Sequence, residues 1–204
     1  MDATVEDGPG GLVVANLGAG ESVLAASGAL VDHTGNVRVE RARDVVFRSV
    51  ANAAGQRQRT PVRVTADAEA TIRFAPPHHG SVVAVPLEGD GIAATRDAFV
   101  ATDSGVRVGA DRVGEAPARG SGLFLATLAG DGTAYVAGRG RVDPVTVPEG
   151  DSHVVSAAHV VAFGANGSVS VERSGAIEDT PPACRFRGPT TVWVATRPSP
   201  RFAR

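Results

Sequence analysis

Apolar and polar residues alternate in this chain in short pieces, and that period of two is what most restricts the folds open to it. Val37-Arg38-Val39-Glu40, Val62-Arg63-Val64-Thr65, Thr71-Ile72-Arg73-Phe74, Val106-Arg107-Val108 and Val169-Ser170-Val171-Glu172 each send successive side chains to opposite faces of an extended backbone, the pattern of a half-buried strand. Four other runs, Gly11-Leu12-Val13-Val14-Ala15, Ser81-Val82-Val83-Ala84-Val85, Leu123-Phe124-Leu125-Ala126 and Val192-Trp193-Val194-Ala195, are apolar without alternation and predict strands covered on both faces. Turn residues separate the pieces at His33-Thr34-Gly35-Asn36, Asp103-Ser104-Gly105, Gly130-Asp131-Gly132 and Ala165-Asn166-Gly167, where Gly, Asn or Asp supplies the positive φ of a tight connection. The 25 glycines and 13 prolines interrupt the chain too often for long helices. Residues 40–54, free of both and carrying Val46, Phe47 and Val50 at helical spacing, predict one helix. The class is all-β, sandwich or barrel-like, and bundles, coiled coils and doubly wound folds are excluded.

At 204 residues the chain predicts a single domain spanning 1–204. No stretch approaches a membrane-spanning length, and Met1-Asp2-Ala3-Thr4-Val5-Glu6-Asp7 lacks the order of a secretory leader, so the expected location is cytoplasmic. The lone Cys184 excludes an internal disulfide framework, and a net charge of −2 announces neither nucleic acid nor an anionic membrane as partner. All 20 basic residues are arginine, which reads as a coding bias.

Two half-signatures alternate along the chain. In the first, a glycine precedes a core residue by ten positions: Gly20 to Leu30, Gly89 to Phe99 and Gly150 to Val160, followed by Val37-Arg38-Val39, Val106-Arg107-Val108 and Val169-Ser170-Val171. In the second, a threonine opens a short strand ending in alanine: Thr71-Ile72-Arg73-Phe74-Ala75, Thr133-Ala134-Tyr135-Val136-Ala137 and Thr191-Val192-Trp193-Val194-Ala195. The spacings, 69 and 61 residues in one series and 62 and 58 in the other, divide the chain into three tandem repeats. Their order pairs Leu30 with the segment around Trp193, so that the termini meet and the sheets close into one pseudo-threefold domain without exposed edges.

Several segments resemble a known family. They are Leu17-Gly18-Ala19-Gly20-Glu21 leading to Ser27-Gly28-Ala29-Leu30-Val31; Asp97-Ala98-Phe99-Val100-Ala101; Gly122-Leu123-Phe124 through Gly130-Asp131-Gly132; Ala158-His159-Val160-Val161-Ala162; and Gly188-Pro189-Thr190-Thr191-Val192-Trp193-Val194-Ala195-Thr196-Arg197. Together, over about residues 11–197, they resemble the mitochondrial-biogenesis family named for altered inheritance of mitochondria protein 24. The chain departs from the family pattern at Thr190, at Ala195 and at Arg96-Asp97. The resemblance implies three tandem β-sandwich repeats like the tryptophan RNA-binding attenuator protein, related to the double-stranded β-helix. It further implies a homotrimer whose nine units form a ring, and no established catalytic activity or cofactor. His159 stands where the family has histidine.

The chemistry-bearing residues point the same way. His78 and His79 lie in a Pro-Pro-His-His-Gly turn, and adjacent strand residues face apart, so a solvated turn explains them better than metal ligation. His153 and His159, six residues apart, would share a face of one regular strand, but the accompanying carboxylate of jelly-roll metal enzymes is missing. Cys184 alternates with Phe186 and reads as an inward-facing small apolar residue. The sequence contains no Gly-x-Ser-x-Gly, phosphate loop, dinucleotide fingerprint or Cys-x-x-Cys. Arg57, Arg59 and Arg63, and Arg185, Arg187, Arg197, Arg201 and Arg204 interleaved with Phe186, Trp193 and Phe202, have the composition of a single-strand binder; solvated faces and subunit contacts account for them more simply. The expectation is a non-enzymatic homotrimeric scaffold or binding protein without catalytic residues, cofactor or metal. Leu30, Phe99, His159, Val160 and Trp193 are its structural or interface residues. The alternatives are a ring that binds a small ligand or nucleic acid, and a metal-dependent jelly-roll enzyme using His78, His79, His153 or His159.

Overall fold

A computed structural model describes residues 1–6, 8, 10–42, 61–113, 123–172 and 182–199. The described residues form eighteen strands: β1 (Asp2–Glu6), β2 (Leu12–Leu17), β3 (Ser22–Ala25), β4 (Leu30–His33), β5 (Val37–Arg41), β6 (Val62–Ala66), β7 (Ala70–Phe74), β8 (Val82–Glu88) and β9 (Ile92–Thr95), followed by β10 (Phe99–Asp103), β11 (Val106–Val113), β12 (Leu123–Ala137), β13 (Val142–Val147), β14 (Ser152–Ser156), β15 (Val160–Gly164), β16 (Ser168–Glu172), β17 (Ala183–Arg187) and β18 (Thr190–Ala195). A single 3-10 turn, Ala157–His159, is the only helical piece among them. The protein is all-β, as the alternation predicts.

Strand pairing is antiparallel throughout the named ladders and builds three sheets. One runs β1-β2-β7-β4, one runs β14-β17-β16, and the largest follows β13-β18-β15-β9-β12-β10-β3-β6-β5, with β8 and β11 also on β12. Period two becomes packing directly: in β7, Ala70, Ile72 and Phe74 are buried while Arg73 faces out. Gly20, Gly89 and Gly150 share φ values of +82, +83 and +83 just before β3, β9 and β14, a conformation open to glycine at no steric cost. Leu30 is opposite Phe74, Phe99 opposite Val136 and Val160 opposite Val194, and each pair is followed at once by a register shift.

Four sequence expectations are corrected. Residues 40 and 41 belong to β5, so no helix begins there; 43–54 lie outside the described residues. Gly130-Asp131-Gly132 makes no turn. β12 runs straight through it and changes partners there, from β11 and β9 to β8 and β10, because positive φ at Gly130 and Gly132 serves an irregular strand as readily as a hairpin. The run at β2 is one-faced, with Val13, Ala15 and Leu17 buried and Asn16 exposed; those at β8, β12 and β18 pack on both faces as expected, Val82 against one apolar cluster and Val85 and Leu87 against another, and so do β3, β9, β10 and β15. Finally, Leu30 pairs with Phe74 in the nearby β7 rather than with the segment around Trp193, whose neighbours are β13 and β15. β4 and β14 each have a partner on one side only, so the described sheets do not close through them.

Two strand pairs carry the main sheet across its length. β10 lies on β3, with Ala101 opposite Ala25 and Thr102 opposite Leu24. β15 lies on β9, with Ala162 opposite Ala94 and Phe163 opposite Ala93. Beneath the first, Val100, Ala101 and Tyr135 join the apolar cluster of Val13, Ile72 and Phe74. Beneath the second, Val161, Ala162 and the partly buried Trp193 join that of Phe99, Leu128 and Val136. A third cluster holds Val155, Cys184, Phe186, Val192 and Phe163, with the Phe163 and Phe186 rings tilted at 5.1 Å, in the range of a favourable aromatic pair.

Candidate functional site

The chemistry-bearing side chains are dispersed. His159 ends the 3-10 turn and its Nδ1 lies 2.7 Å from the Ala195 carbonyl oxygen; a carbonyl only accepts, so Nδ1 carries the proton. His153 sits on β14, which ends at Ser156, so the two imidazoles do not share one strand face as expected from their spacing. His78 is half-buried between β7 and β8, and burial, reinforced by the Arg139 charge, holds its pKa below the ordinary histidine value. His79 beside it is exposed. Among the described residues no three His, Cys, Asp or Glu side chains group as metal ligands. Cys184 and Phe186 both face inward on β17, as their alternation predicts, and burial alone pushes the thiol up to about 11, the wrong direction for a nucleophile.

The arginine and aromatic set divides. Arg57, Arg59, Arg201, Phe202 and Arg204 lie outside the described residues. Arg185 is held by Glu172, Nε to Oε1 at 2.7 Å and Nη2 to Oε2 at 3.2 Å, and Phe186 is 1% exposed, leaving no ring face there for a base. Of the five predicted structural residues, Phe99 and Val160 are buried, whereas Leu30, His159 and Trp193 are partly so. Leu30 packs on the first apolar cluster and Trp193 on the second; the fold does not bring the five into one site.

What the geometry does single out is a pair of strand edges. The exposed large apolar residues among those described are Val31 at 52%, Val39 at 46% and Val154 at 45%; Val31 and Val154 sit on β4 and β14, two of the strands paired on one side only, and Val39 sits on another, β5. On β4, Asp32 receives a two-pronged ion pair from Arg73 of β7, Nε to Oδ1 at 2.7 Å and Nη2 to Oδ2. The guanidinium holds the Asp32 carboxyl below its ordinary value and is itself shifted upward. A free edge of paired, hydrated charges with a valine among them is soluble yet competent to accept another strand. Sequence reading missed Val31, Asp32, Arg73 and Val154. The signal was available in the repeat: Val31 follows Leu30 as Val100 follows Phe99 and Val161 follows Val160.

A family model described as mitochondrial biogenesis AIM24 matches residues 3–197. The chain belongs to that family. A comparison with curated proteins finds no match. Among solved structures, the X-ray structure of protein SPYM3_0169 from Streptococcus pyogenes aligns over 99% of this chain and 96% of that one, with a TM-score of 0.81 at 22% identity. That likeness covers 99% of the chain and speaks of the fold alone. Among the described residues no helix is long and apolar enough to cross a membrane.

Proposed function

We propose that this AIM24-family chain is a non-enzymatic scaffold or binding protein that acts as a homotrimer, each copy being three tandem six-strand units. The units are β2 to β7, β8 to β12 with the two halves of β12 filling two places, and β13 to β18. The recurrence of one pairing scheme supports this division. In each unit the first and third strands flank the last, as β2 and β4 flank β7, β8 and β10 flank the second half of β12, and β13 and β15 flank β18. The second and fourth flank the fifth, as β3 and β5 flank β6, β9 and β11 flank the first half of β12, and β14 and β16 flank β17.

The observation that carries the reading is that, among the described strands, β4 in the first unit and β14 in the last lack the inter-unit partner that their counterparts β10 and β15, and β3 and β9, have, and each carries an exposed valine where those counterparts bury an apolar residue. Assembly removes such edges from water. Light scattering of the purified protein, with metal content and the nucleic-acid absorbance ratio read on the same peak, tests it. The expected result is a particle of three times 20.7 kDa free of both. A stable monomer overturns the oligomeric reading, and stoichiometric metal favours the jelly-roll enzyme instead.

A further inference from the structure

Resting on the three-unit reading just given, we propose that β14 of one copy adds antiparallel to β4 of the next, in one register: Asp32 opposite Val155, His33 opposite Val154 and Thr34 opposite His153. The partner is a second copy of this chain, and the seam repeats a joint the chain already makes twice within itself.

The register follows from the two internal joints. In both, the third strand of one unit lies on the second strand of the unit before it: β10 on β3 and β15 on β9. In both, the residue after the register shift, Ala101 or Ala162, faces an alanine five positions beyond the positive-φ glycine, Ala25 after Gly20 or Ala94 after Gly89. In the first unit the residue after the shift is Asp32, and five positions beyond Gly150 is Val155. The backbone agrees: Ala26 N–H donates to the Val100 carbonyl at 2.8 Å, which assigns Ser156 N–H to the Val31 carbonyl of the neighbouring copy.

Burial argues for the same occupant. Val100 and Val161, the counterparts of Val31, are 1% and 3% exposed, and Leu24 and Ala93, the counterparts of Val154, are 5% and 7% exposed. Each interior apolar cluster is completed by residues of the following unit, Val100, Ala101 and Tyr135 in one case and Val161, Ala162 and Trp193 in the other. The third cluster, around Cys184, Phe186 and Val155, has no following unit in its own chain. Val31, Asp32 and Arg73 of a second copy occupy the corresponding places. One copy offers one edge of each kind, so the contact is head-to-tail and gives a closed ring when the rotation per unit permits.

Cysteine pairing tests the seam. Residues directly opposite on antiparallel strands have Cα atoms about 4.5–5.5 Å apart, within disulfide reach. His33→Cys and Val154→Cys are prepared as separate full-length proteins; both positions are exposed, so neither substitution disturbs the core. The two are mixed and exchanged, then oxidised mildly and run on denaturing gels without reductant. A cross-linked pair in the mixture, and in neither protein alone, is the expected result, and the double variant should give linked species up to three copies. A cross-link in either single variant means a two-fold β4–β4 or β14–β14 contact and overturns the proposal. A particle of several copies with no 33–154 cross-link overturns the seam and leaves the oligomeric reading standing. A monomer overturns both.

Discussion

Two kinds of joint position in this molecule have closely similar sequences and opposite surroundings. Phe99-Val100-Ala101 and Val160-Val161-Ala162 lie in β10 and β15, paired along both edges and buried on both faces. Leu30-Val31-Asp32 begins β4 in the same way and is left half open. The difference teaches that burial of a β-branched residue in this fold is set by whether another unit follows, and only secondarily by the residue itself. The chain marks the distinction by two substitutions: the Ala101–Tyr135 and Ala162–Trp193 neighbours of the covered joints are replaced at the open edge by Asp32 and Arg73.

The contrast is broken most directly by placing the same charge at both kinds of position. Val100→Asp buries a carboxylate among Val13, Ile72 and Phe74 with no cation to meet it, and is expected to cost about 4 kcal/mol or more, a large part of the stability of an ordinary domain. Val31→Asp at the corresponding edge position is expected to leave a chain with unchanged strand signal by circular dichroism and a sharp melt, but one that no longer assembles. Thermal unfolding and light scattering read both. A Val100→Asp protein melting within a few degrees of the parent would show that the internal joint does not hold the units together.

A gentler pair sharpens the same comparison. Val161→Ala removes two methyl groups from the Phe99, Leu128 and Val136 cluster and is expected to cost about 1.5–3 kcal/mol in denaturant unfolding. Val154→Ala is expected to change the unfolding of separated copies by less than about 0.5 kcal/mol while weakening their association. Next comes a gain. Asp32→Ala with Arg73→Tyr copies the Ala101–Tyr135 pair onto the open edge, replacing an ion pair that association must dehydrate with apolar surface. Sedimentation of the double variant should give association about tenfold tighter, or about 1.4 kcal/mol.

Strand positions were legible because alternation is local: β5, β6, β7, β11 and β16 fall where Val37, Val62, Thr71, Val106 and Val169 place them. The spacing of Gly20, Gly89 and Gly150 was legible for a related reason, since a backbone needing positive φ accepts little else. Partner choice was not. The stretches 71–74, 133–136 and 191–194 are near-copies, so nothing in Leu30 states that it faces the first rather than the third. Gly130-Asp131-Gly132 misled because glycine relieves crowding against Gly105 and Asp103 in a continuous strand just as it would in a turn. The edge residues were hidden more deeply: Val31 and Val100 differ in what the fold places beside them, and that is decided by strands far away in sequence.

Acid should distinguish the two regions with the smallest effect and the clearest sign. His78, in the loop that leads from β7 to β8, has a folded pKa below its ordinary 6.5 because of burial first and the Arg139 charge second. The unfolded chain therefore takes up a proton there before the folded chain does, and folding stability falls as pH drops below 6.5 until the folded imidazole is itself protonated. On β4 and β16 the groups are carboxylates, Asp32 on Arg73 and Glu172 on Arg185, lowered from 3.8 and 4.5 chiefly by their guanidinium hydrogen bonds. Their contribution is complete above those values and disappears only as pH falls through the lower folded ones. Between pH 6.5 and 5, then, the unfolding midpoint should drift down while the particle mass by light scattering stays constant, and His78→Gln should remove the drift. Below pH 4.5 the unfolding midpoint should fall further as first Glu172 and then Asp32 take up protons. Dissociation that instead followed His78 between pH 6.5 and 5 would mean the loop beside Arg139, rather than the charged strand edge, controls association.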